Sequence, residues 1–256
     1  MTIDLNADVG EGGGDDAALI PLVTSVNIAC GGHAGDLAMM RATVDLAQAH
    51  GVAVGAHPGF EDRAHFGRRE LPLSPAAITA LVQRQVEALA ALASLSHVKP
   101  HGALYNLAAR DRTVADAIAA AVAAVDARLA LVGLAGSQLL AAARAWNLRP
   151  VSEAFADRRY LADGTLQRRT QGDALLTDAD AAVAQVLRIV REGVVESVDG
   201  QTVRIAADTI CLHGDGPQAV NFARRLRAEL ADAGVEVARL KDLRPPPPFR
   251  RGEPGG

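Results

Sequence analysis

The sequence predicts an α/β protein folded as a TIM-like, seven-stranded parallel (β/α) barrel. Short apolar runs of strand length alternate with alanine-rich stretches of helical spacing, and repeated strand, helix, strand units form parallel sheets. The pattern contains no obvious reversal point of the kind that marks an open sheet, which favours closure. Polar, metal-capable or glycine residues follow the apolar runs seven times. In a barrel, the loops after the strands converge on one mouth, so these scattered residues are expected to form one pocket.

The predicted strands are short and rich in β-branched residues or leucine, and Gly, Pro or Asp bounds each of them. They cover residues 2–7, 24–29, 52–57, 97–101, 129–134, 150–154 and 208–213. The predicted helices cover 36–50, a segment beginning at Ser74-Pro75, 113–127, 136–146, 178–192 and 216–233. Ser74 and Pro75 suit the N-cap and the first helical position. Gly51 and Gly234 stand where left-handed residues end helices.

One segment interrupts this rhythm before the last strand. In residues 194–208, alternating apolar residues flank Asp199-Gly200, which predicts a small β-hairpin insertion with a type I′ turn. The four prolines near the C-terminus and the RRGEPGG that follows them cannot bury enough apolar surface to become ordered. We therefore expect a single barrel domain over 1–244 and a disordered tail over 245–256.

Composition limits the partners that this chain is expected to have. The 256 residues carry a net charge of −4 and only 3% aromatic residues, so neither a basic field nor a stacking surface favours nucleic acid. No apolar run reaches the roughly 18 residues that span a bilayer, and no signal-peptide pattern opens the sequence. Two widely separated cysteines make no disulfide framework. These features predict a cytoplasmic protein that binds no membrane.

The predicted mouth gathers residues that are able to carry chemistry. They are Asn6, Asp8, Glu11, Asn27, His33, His57, Lys99, His101, Glu153, Asp157, His213 and Asp215. Neutral imidazoles with a carboxylate suit zinc or manganese, and Asp8, His33 and His57 are the predicted ligands. The alternative is that these three form a neutral hydrogen-bonding network that binds substrate without a metal. No HExxH or CxxC spacing decides between the two.

Lys99 and His101 are two residues apart in a predicted strand, so both side chains are expected on the same side. If that side is the barrel interior, the ammonium must be paired or used, because a buried unpaired charge is costly. Glu153, Asp8 or a substrate carboxylate would pair with it. A structural Lys99–Glu153 pair is one interpretation, and an acid-base or oxyanion-stabilising role for Lys99 and His101 is the other.

Two further features concern anions. Glycine-rich turns at 10–16, 31–36 and 213–217 are either plain tight turns or sites where main-chain N–H groups bind phosphate or carboxylate. None has the GxxxxGK[ST] pattern of an ATP-binding P-loop. Arginines in the third loop and in EAFADRRY (153–160) form either a solvated rim or a binding fork. Their mixture with acidic residues predicts a small, polar and anionic substrate.

Long motifs in a fixed order then reveal a resemblance. They are NADVGEG (6–12), SVNIACGGHAGD (25–36), GVAVGAHPGF (51–60), FGRRE (66–70), HVKPHGALYN (97–106), EAFADRRY (153–160) and DTICLHGDGPQAV (208–220). The sequence resembles the LamB/YcsF family from residue 2 to about 240. The resemblance implies a seven-stranded barrel related to those of glycoside hydrolases and polysaccharide deacetylases. It also implies ATP-dependent opening of 5-oxo-L-proline to L-glutamate together with the 5-oxoprolinase subunits B and C.

For that reaction the expected catalytic residues are Asp8, His57, Lys99, His101 and Glu153. The expected substrate-binding residues are Asn6, Asn27, Arg68, Arg69, His213 and Asp215. ATP would be consumed as a co-substrate, with magnesium accompanying it. Two other functions fit the same residues: a metal-dependent carbohydrate deacetylase or hydrolase of the same barrel superfamily, and a non-catalytic subunit that delivers substrate to its partners.

Overall fold

The computed structural model describes residues 1–13, 15–169, 171–212 and 219–240. Its strands are β1 (Thr2–Val9), β2 (Ser25–Ala29), β3 (Ala53–His57), β4 (His97–Val98), β5 (Ala130–Leu134), β6 (Arg149–Phe155), β7 (Val194–Glu196), β8 (Thr202–Arg204), β9 (Thr209–Leu212) and β10 (Glu236–Val237). The helices are α1 (Asp16–Leu19), α2 (Leu37–Ala49), α3 (Pro75–Ala90), α4 (Gly102–Arg110), α5 (Arg112–Val125), α6 (Gln138–Ala145), α7 (Ala179–Glu192) and α8 (Ala219–Asp232).

The sheet closes on itself, as the sequence predicts. Strands β1 to β6 pair in chain order, β9 follows β6, and β9 pairs in turn with β1, all in parallel. These seven strands form the barrel and confirm the predicted fold. The sequence pattern did not predict β10, a two-residue strand that pairs with the start of β1 outside the closed ring.

Apolar residues fill the layer between the barrel and its helices. On α3, for example, Ile78, Leu81, Val82, Val86 and Leu89 are all buried, and their helical spacing sets one face against the sheet. Proline at the first turn and a hydrogen bond from Ala77 N–H to Ser74 Oγ begin this helix, as predicted. Within the described part of the chain, no helix combines the length and hydropathy needed to cross a membrane.

The hairpin insertion before the last barrel strand is confirmed, but its turn type was predicted wrongly. Strands β7 and β8 pair antiparallel. A type I′ turn needs positive φ at both central residues, whereas only Gly200 has it, at 74°. Gly200 N–H donates to Ser197 O, and Ser197 N–H donates to Gln201 O. Residues 198–200 therefore form a three-residue hairpin loop that ends in a left-handed glycine, instead of the two-residue loop of a type I′ turn.

The segment after β4 also departs from the prediction. The strand expected over 97–101 ends at Val98, and Gly102, with φ of 53°, begins helix α4. Pro100 has no N–H to donate to a neighbouring strand, although Lys99 and His101 still donate to the main chain of Ala56 and Pro58. Lys99 and His101 therefore stand on a short extended connection at the barrel mouth. The predicted tail over 245–256 lies outside the described residues.

Candidate functional site

A cavity of about 1050 Å³ opens at the mouth, where the carboxyl ends of the strands meet. Asp8, His57, Lys99 and His101 lie on its wall. The apolar part of the wall includes Phe155, whose ring packs edge-on against Tyr105 with centroids 5.9 Å apart. The cavity therefore combines charged groups with surface suited to the carbon atoms of a ligand.

Below the cavity, a set of buried polar side chains fills the barrel interior. We call it the inner network, and it consists of Asp4, Asn6, Ser25, Asn27, His97 and Thr209. Asp4 accepts hydrogen bonds from Ser25 at 2.6 Å and from Thr209 at 2.5 Å. Asn6 donates to Thr209, Asn27 donates to Asn6, and His97 Nε2 donates to Asn27 Oδ1 at 2.8 Å. The amides expected to bind substrate, Asn6 and Asn27, thus lie beneath the cavity with their bonds made inside the barrel.

Lys99 lies between the inner network and the cavity. Its Nζ is 2.8 Å from Glu153 Oε1 and 3.0 Å from Asp8 Oδ1, and it also donates to Asn6 Oδ1 at 3.1 Å. Burial alone would lower the pKa of Lys99, but the neighbouring negative charges, Asp8 first among them, hold that pKa well above its usual range. Lys99 is therefore a fixed cation. Glu153 and Asp8, the two partners expected from the sequence, both contact its ammonium.

Three histidines and one glutamate form what we call the mouth cluster, Glu11, His33, His57 and His101. Each offers one ligand atom, and the four atoms lie within 4.8 Å of one another. Glu11 Oε1 is 3.0 Å from His33 Nε2, 3.4 Å from His101 Nδ1 and 3.9 Å from His57 Nε2. The rings of His33 and His101 stack with centroids 3.6 Å apart. This set differs from the predicted ligands, because Glu11 and His101 complete it and Asp8 stands beside it.

The hydrogen bonds of His57 and His101 leave two acceptor nitrogens facing each other, an arrangement that requires a positive charge between them. His57 Nδ1 is 2.7 Å from Lys99 O, and His101 Nε2 is 2.8 Å from Phe66 O. A carbonyl oxygen only accepts, so both of these nitrogens carry hydrogen. In neutral rings the remaining nitrogens, His57 Nε2 and His101 Nδ1, are then acceptors, yet they face each other at 3.0 Å. Two lone pairs repel at this distance, so a proton or a metal cation belongs between them.

Main-chain contacts hold these rings in place. Gln85 brackets Gly59, accepting from its N–H and donating to its carbonyl. A Cβ at Gly59 would lie 2.7 Å from His33 Nδ1, so only glycine lets the chain pass this close to the ring. The Arg63 side chain donates to the carbonyls of Gly31 and Gly35 and so fixes the position of the loop that carries His33.

Burial and charge separate the titration of the three rings. Desolvation by burial, followed by the charge of His57, lowers the pKa of His33 to about 2. The same two causes, burial first, put the pKa of His101 well below its usual range. Burial would also lower the pKa of His57, but the Asp8 carboxylate, whose Oδ2 is 3.4 Å from His57 Nε2, raises it overall. His33 and His101 are therefore neutral imidazoles near neutral pH, the form that binds metals.

The remaining predicted site residues, which include two substrate-binding arginines and the catalytic candidate Glu153, lie in different places. Arg68 and Arg69 line the cavity, but Arg69 is well exposed and bonds to Asp62, and the Arg68 guanidinium lies over the Phe66 ring at 4.9 Å. Glu153 is fully buried beneath Lys99. His213 and Asp215 lie outside the described residues.

Some buried residues of the cavity wall were not among the site residues expected from the sequence, although Arg158 belongs to the arginines considered there as a rim or a binding fork. Tyr105 and Arg158 both line the cavity and are at most 5% exposed. In the structure residues 157–160 alternate between partly exposed and buried positions, which separates Arg158 from Arg159, but the sequence shows no apolar alternation there that would have indicated it. Tyr105 lies in a helix that the strand pattern did not reveal.

Comparison with known proteins assigns this architecture to a family. A family model for the LamB/YcsF family matches residues 3–245. A Neisseria meningitidis serogroup A protein, which bears the name of the A subunit of 5-oxoprolinase, is 51% identical over 241 residues, which cover 92% of this chain and 98% of that protein. The protein of the same name from Chloroflexus aggregans is 54% identical over 247 residues, covering 93% and 98%.

A solved structure agrees with this match. The lactam utilization protein of Thermus thermophilus superposes with a TM-score of 0.88 at 48% identity, over 94% of this chain and 100% of that one. The similarity thus extends over nearly the whole length of both chains, and the barrel and its mouth both fall within the matched range.

Proposed function

The chain belongs to the LamB/YcsF family, and from that premise we propose that it is the A subunit of a 5-oxoprolinase. The complex opens the lactam ring of 5-oxo-L-proline to give L-glutamate, consumes ATP, and includes subunits B and C. The observation that carries this proposal is the identity of 51% to 54% with whole-length relatives of that name. The large polar cavity at the mouth supports it.

The reaction explains why such a cavity is charged. A γ-lactam is an unstrained amide and a poor electrophile, and phosphoryl transfer from ATP to the lactam oxygen makes the ring carbon a better electrophile. Water then adds to the ring carbon, and the C–N bond breaks as the nitrogen takes up a proton, which leaves an acyl phosphate. A second water hydrolyses this acyl phosphate to the γ-carboxylate and phosphate. An enzyme that catalyses this sequence must hold negative charge on the oxygen and direct the water.

The residues of the chain meet these needs in different ways. Lys99, a fixed cation on the cavity wall, stabilises phosphoryl and oxyanion charge. Asp8 also lines the cavity and is oriented by Lys99 and Asn27, both bonded to its Oδ1. Its Oδ2 faces the mouth cluster, where it is able to accept a proton from water. Glu153 positions Lys99 from below.

The mouth cluster fits a divalent cation such as zinc or manganese. Three imidazole nitrogens and one carboxylate oxygen within 4.8 Å of one another are a donor set that suits these ions, and Glu11, His33, His57 and His101 would hold the ion. The main-chain carbonyls that accept from His57 and His101 orient these rings as outer partners do in metal sites. A bound ion would supply Lewis-acid stabilisation of the developing charge, while magnesium would arrive with ATP.

The proposed function is tested by reconstitution. The chain is coexpressed with candidate B and C subunits, and ADP and glutamate release that depends on 5-oxo-L-proline is measured with each subunit omitted in turn. We expect both products only from the complete set. Equal turnover without this chain would contradict the proposal.

A second set of assays separates the alternatives. Alanine at Asp8 and at Lys99 should abolish turnover, and a complex that keeps both turnover and 5-oxoproline binding would identify a delivery subunit instead. Release of acetate from acetylated oligosaccharides that needs metal but not ATP would identify a deacetylase. Metal content, measured by plasma mass spectrometry before and after chelation, tests the mouth cluster directly.

A further inference from the structure

Arg158 is a buried cation on the cavity wall. It is 5% exposed and lies in the cavity lining. Its hydrogen bond within the described chain joins one terminal nitrogen to the main-chain oxygen of Gln167 at 2.6 Å. Its Nε is buried without a hydrogen-bond partner among the described residues. An unpaired charge in this position is costly unless a ligand completes it.

The energetics of the isolated guanidinium agree with this geometry. Burial lowers the pKa of Arg158 to about 10, the nearby charge of Arg169 acts in the same direction, and the charge of Asp157 opposes them only in part. Lys99, the other buried cation of the cavity, has two carboxylates within 3.0 Å. The two cations therefore differ, since Lys99 has two carboxylate partners within the protein whereas the Nε of Arg158 has no partner among the described residues.

Gln167 places an unpaired acceptor next to this unpaired donor. Its Nε2 donates to Asp173 Oδ1 at 2.6 Å, and only the amide nitrogen is able to bond a carboxylate, so the orientation of the amide is fixed. Its Oε1 is buried without a partner and the residue lines the cavity. A lactam of an α-amino acid presents the complementary pair, a carboxylate that accepts and an adjacent ring N–H that donates.

We propose that Arg158 anchors the α-carboxylate of the lactam substrate and that Gln167 Oε1 accepts the ring N–H. This inference rests on the proposed function and replaces the expectation that Arg68 or Arg69 holds the carboxylate. It assigns specificity for lactams that carry a free carboxylate next to the ring nitrogen. Phe155, on the same wall, contacts the ring carbons.

The chain offers a matched control. Arg159 is the next residue and also has a buried unpaired Nε, but it lines a separate depression beside Gln185 and Arg188. The test therefore compares R158Q and R158K with R159Q, each in the reconstituted complex. Steady-state assays give KM and kcat for 5-oxo-L-proline, and competition gives the inhibition constant of 5-oxo-L-prolinamide, which lacks the carboxylate charge.

We expect R158Q to raise KM for 5-oxo-L-proline by about 10- to 100-fold, the range for a lost hydrogen bond to a charged group. R158K keeps the charge without the planar fork and should fall between R158Q and the wild type. R159Q should stay within about threefold of the wild type. The inhibition constant of the carboxamide should be equal for wild type and R158Q, because that ligand offers no carboxylate to lose.

Three results would overturn the inference. The first is an unchanged KM in R158Q, and the second is an equal loss for the acid and the carboxamide, which would indicate a structural role. If R158Q fails to fold, R158K takes its place in the same comparison of ligands, with thermal unfolding as the check. The third result is a wild-type complex that neither binds nor turns over 5-oxo-L-proline. That result would contradict the proposed function as well.

Discussion

The inner network and the mouth cluster are both buried and polar, yet their polar atoms are treated differently. In the inner network the side chains of Asp4, Asn6 and Asn27 bond to one another or to their neighbours. Around the mouth, the buried atoms without partners include His33 Nδ1 and Arg158 Nε. A few ångströms along the barrel axis separate a satisfied polar interior from an unsatisfied one.

This difference indicates which region serves stability and which serves function. Unpaired buried polar groups are costly and are rare in native proteins. Of the six such side-chain atoms in the described residues, five belong to side chains at the mouth or directly beneath it, Arg159 being the other. We infer that the mouth is completed by ligands, whereas the inner network completes itself.

Lys99 joins the two regions, and its loss should have the largest effect on stability. Lys99→Met leaves the fully buried Glu153 carboxylate without its cation, so we expect the free energy of unfolding to fall by about 3 to 5 kcal/mol. The double variant with Glu153→Gln should recover most of that loss. Chemical denaturation of the single and double variants measures it, and a double variant no more stable than the single one would refute the pairing.

Replacing a mouth ligand should cost function and little stability. Glu11→Gln removes the only carboxylate of the mouth cluster, so zinc or manganese affinity by calorimetry should fall by more than the roughly 10- to 100-fold lost with an outer-shell partner. The free energy of unfolding of the metal-free protein should change by no more than about 1 kcal/mol. Undiminished metal binding would remove Glu11 from the site.

Titration of Asp4 in the inner network should make the free energy of unfolding depend on pH. Burial raises the pKa of Asp4 to about 6 from 3.8, so between these values the folded protein keeps a proton that the unfolded chain releases. Stability from this group is therefore greatest at low pH and falls as pH rises, by about 3 kcal/mol in total. The difference in unfolding free energy between wild type and Asp4→Asn should decline by about 2.4 kcal/mol of this total from pH 4 to pH 7, and a constant difference would be inconsistent with the burial of a titrating group.

The smallest effect concerns packing within the inner network. A Cβ at Gly55 would lie 2.2 Å from His97 Nε2, so Gly55→Ala should cost about 1 to 3 kcal/mol. Gly172 has open space around it, and Gly172→Ala should stay within about 0.5 kcal/mol. Thermal unfolding compares the two, and equal effects would show that the ring of His97 yields.

The sequence predicts the barrel because its pattern is local. Each strand-length run and its helix can be recognised within a window of about 15 residues. Helix α4 was not predicted because Pro100 and Gly102 at its start are typical of a turn. Strand β10 was not predicted because two residues are too few to show an alternating pattern. The turn at Gly200 was predicted as type I′ instead of as a three-residue loop because Asp-Gly occurs in more than one hairpin geometry.

The sequence predicted part of the candidate site, but neither Tyr105 and Gln167 nor the arrangement of the ligand atoms. Spacing placed Asp8, Glu11 and the three histidines at one mouth, yet the choice of ligand atoms depends on how each loop returns. The left-handed glycines at 10 and 12 bring Glu11 among the imidazoles and leave Asp8 to Lys99. Likewise, nothing in the local sequence distinguishes Arg68 from Arg158, because the alternation that buries the latter is visible only in the structure.

Under the proposed function, the mouth performs the chemistry and the inner network supports it. The most direct test is a comparison of kcat/KM for 5-oxo-L-proline in the reconstituted complex between His101→Gln and Ser25→Ala. We predict a loss of about 100-fold or more for the mouth variant and a value within about threefold of wild type for the inner variant, once both are corrected for the folded fraction. Equal values for the two variants, whether both lowered or both intact, would contradict the account.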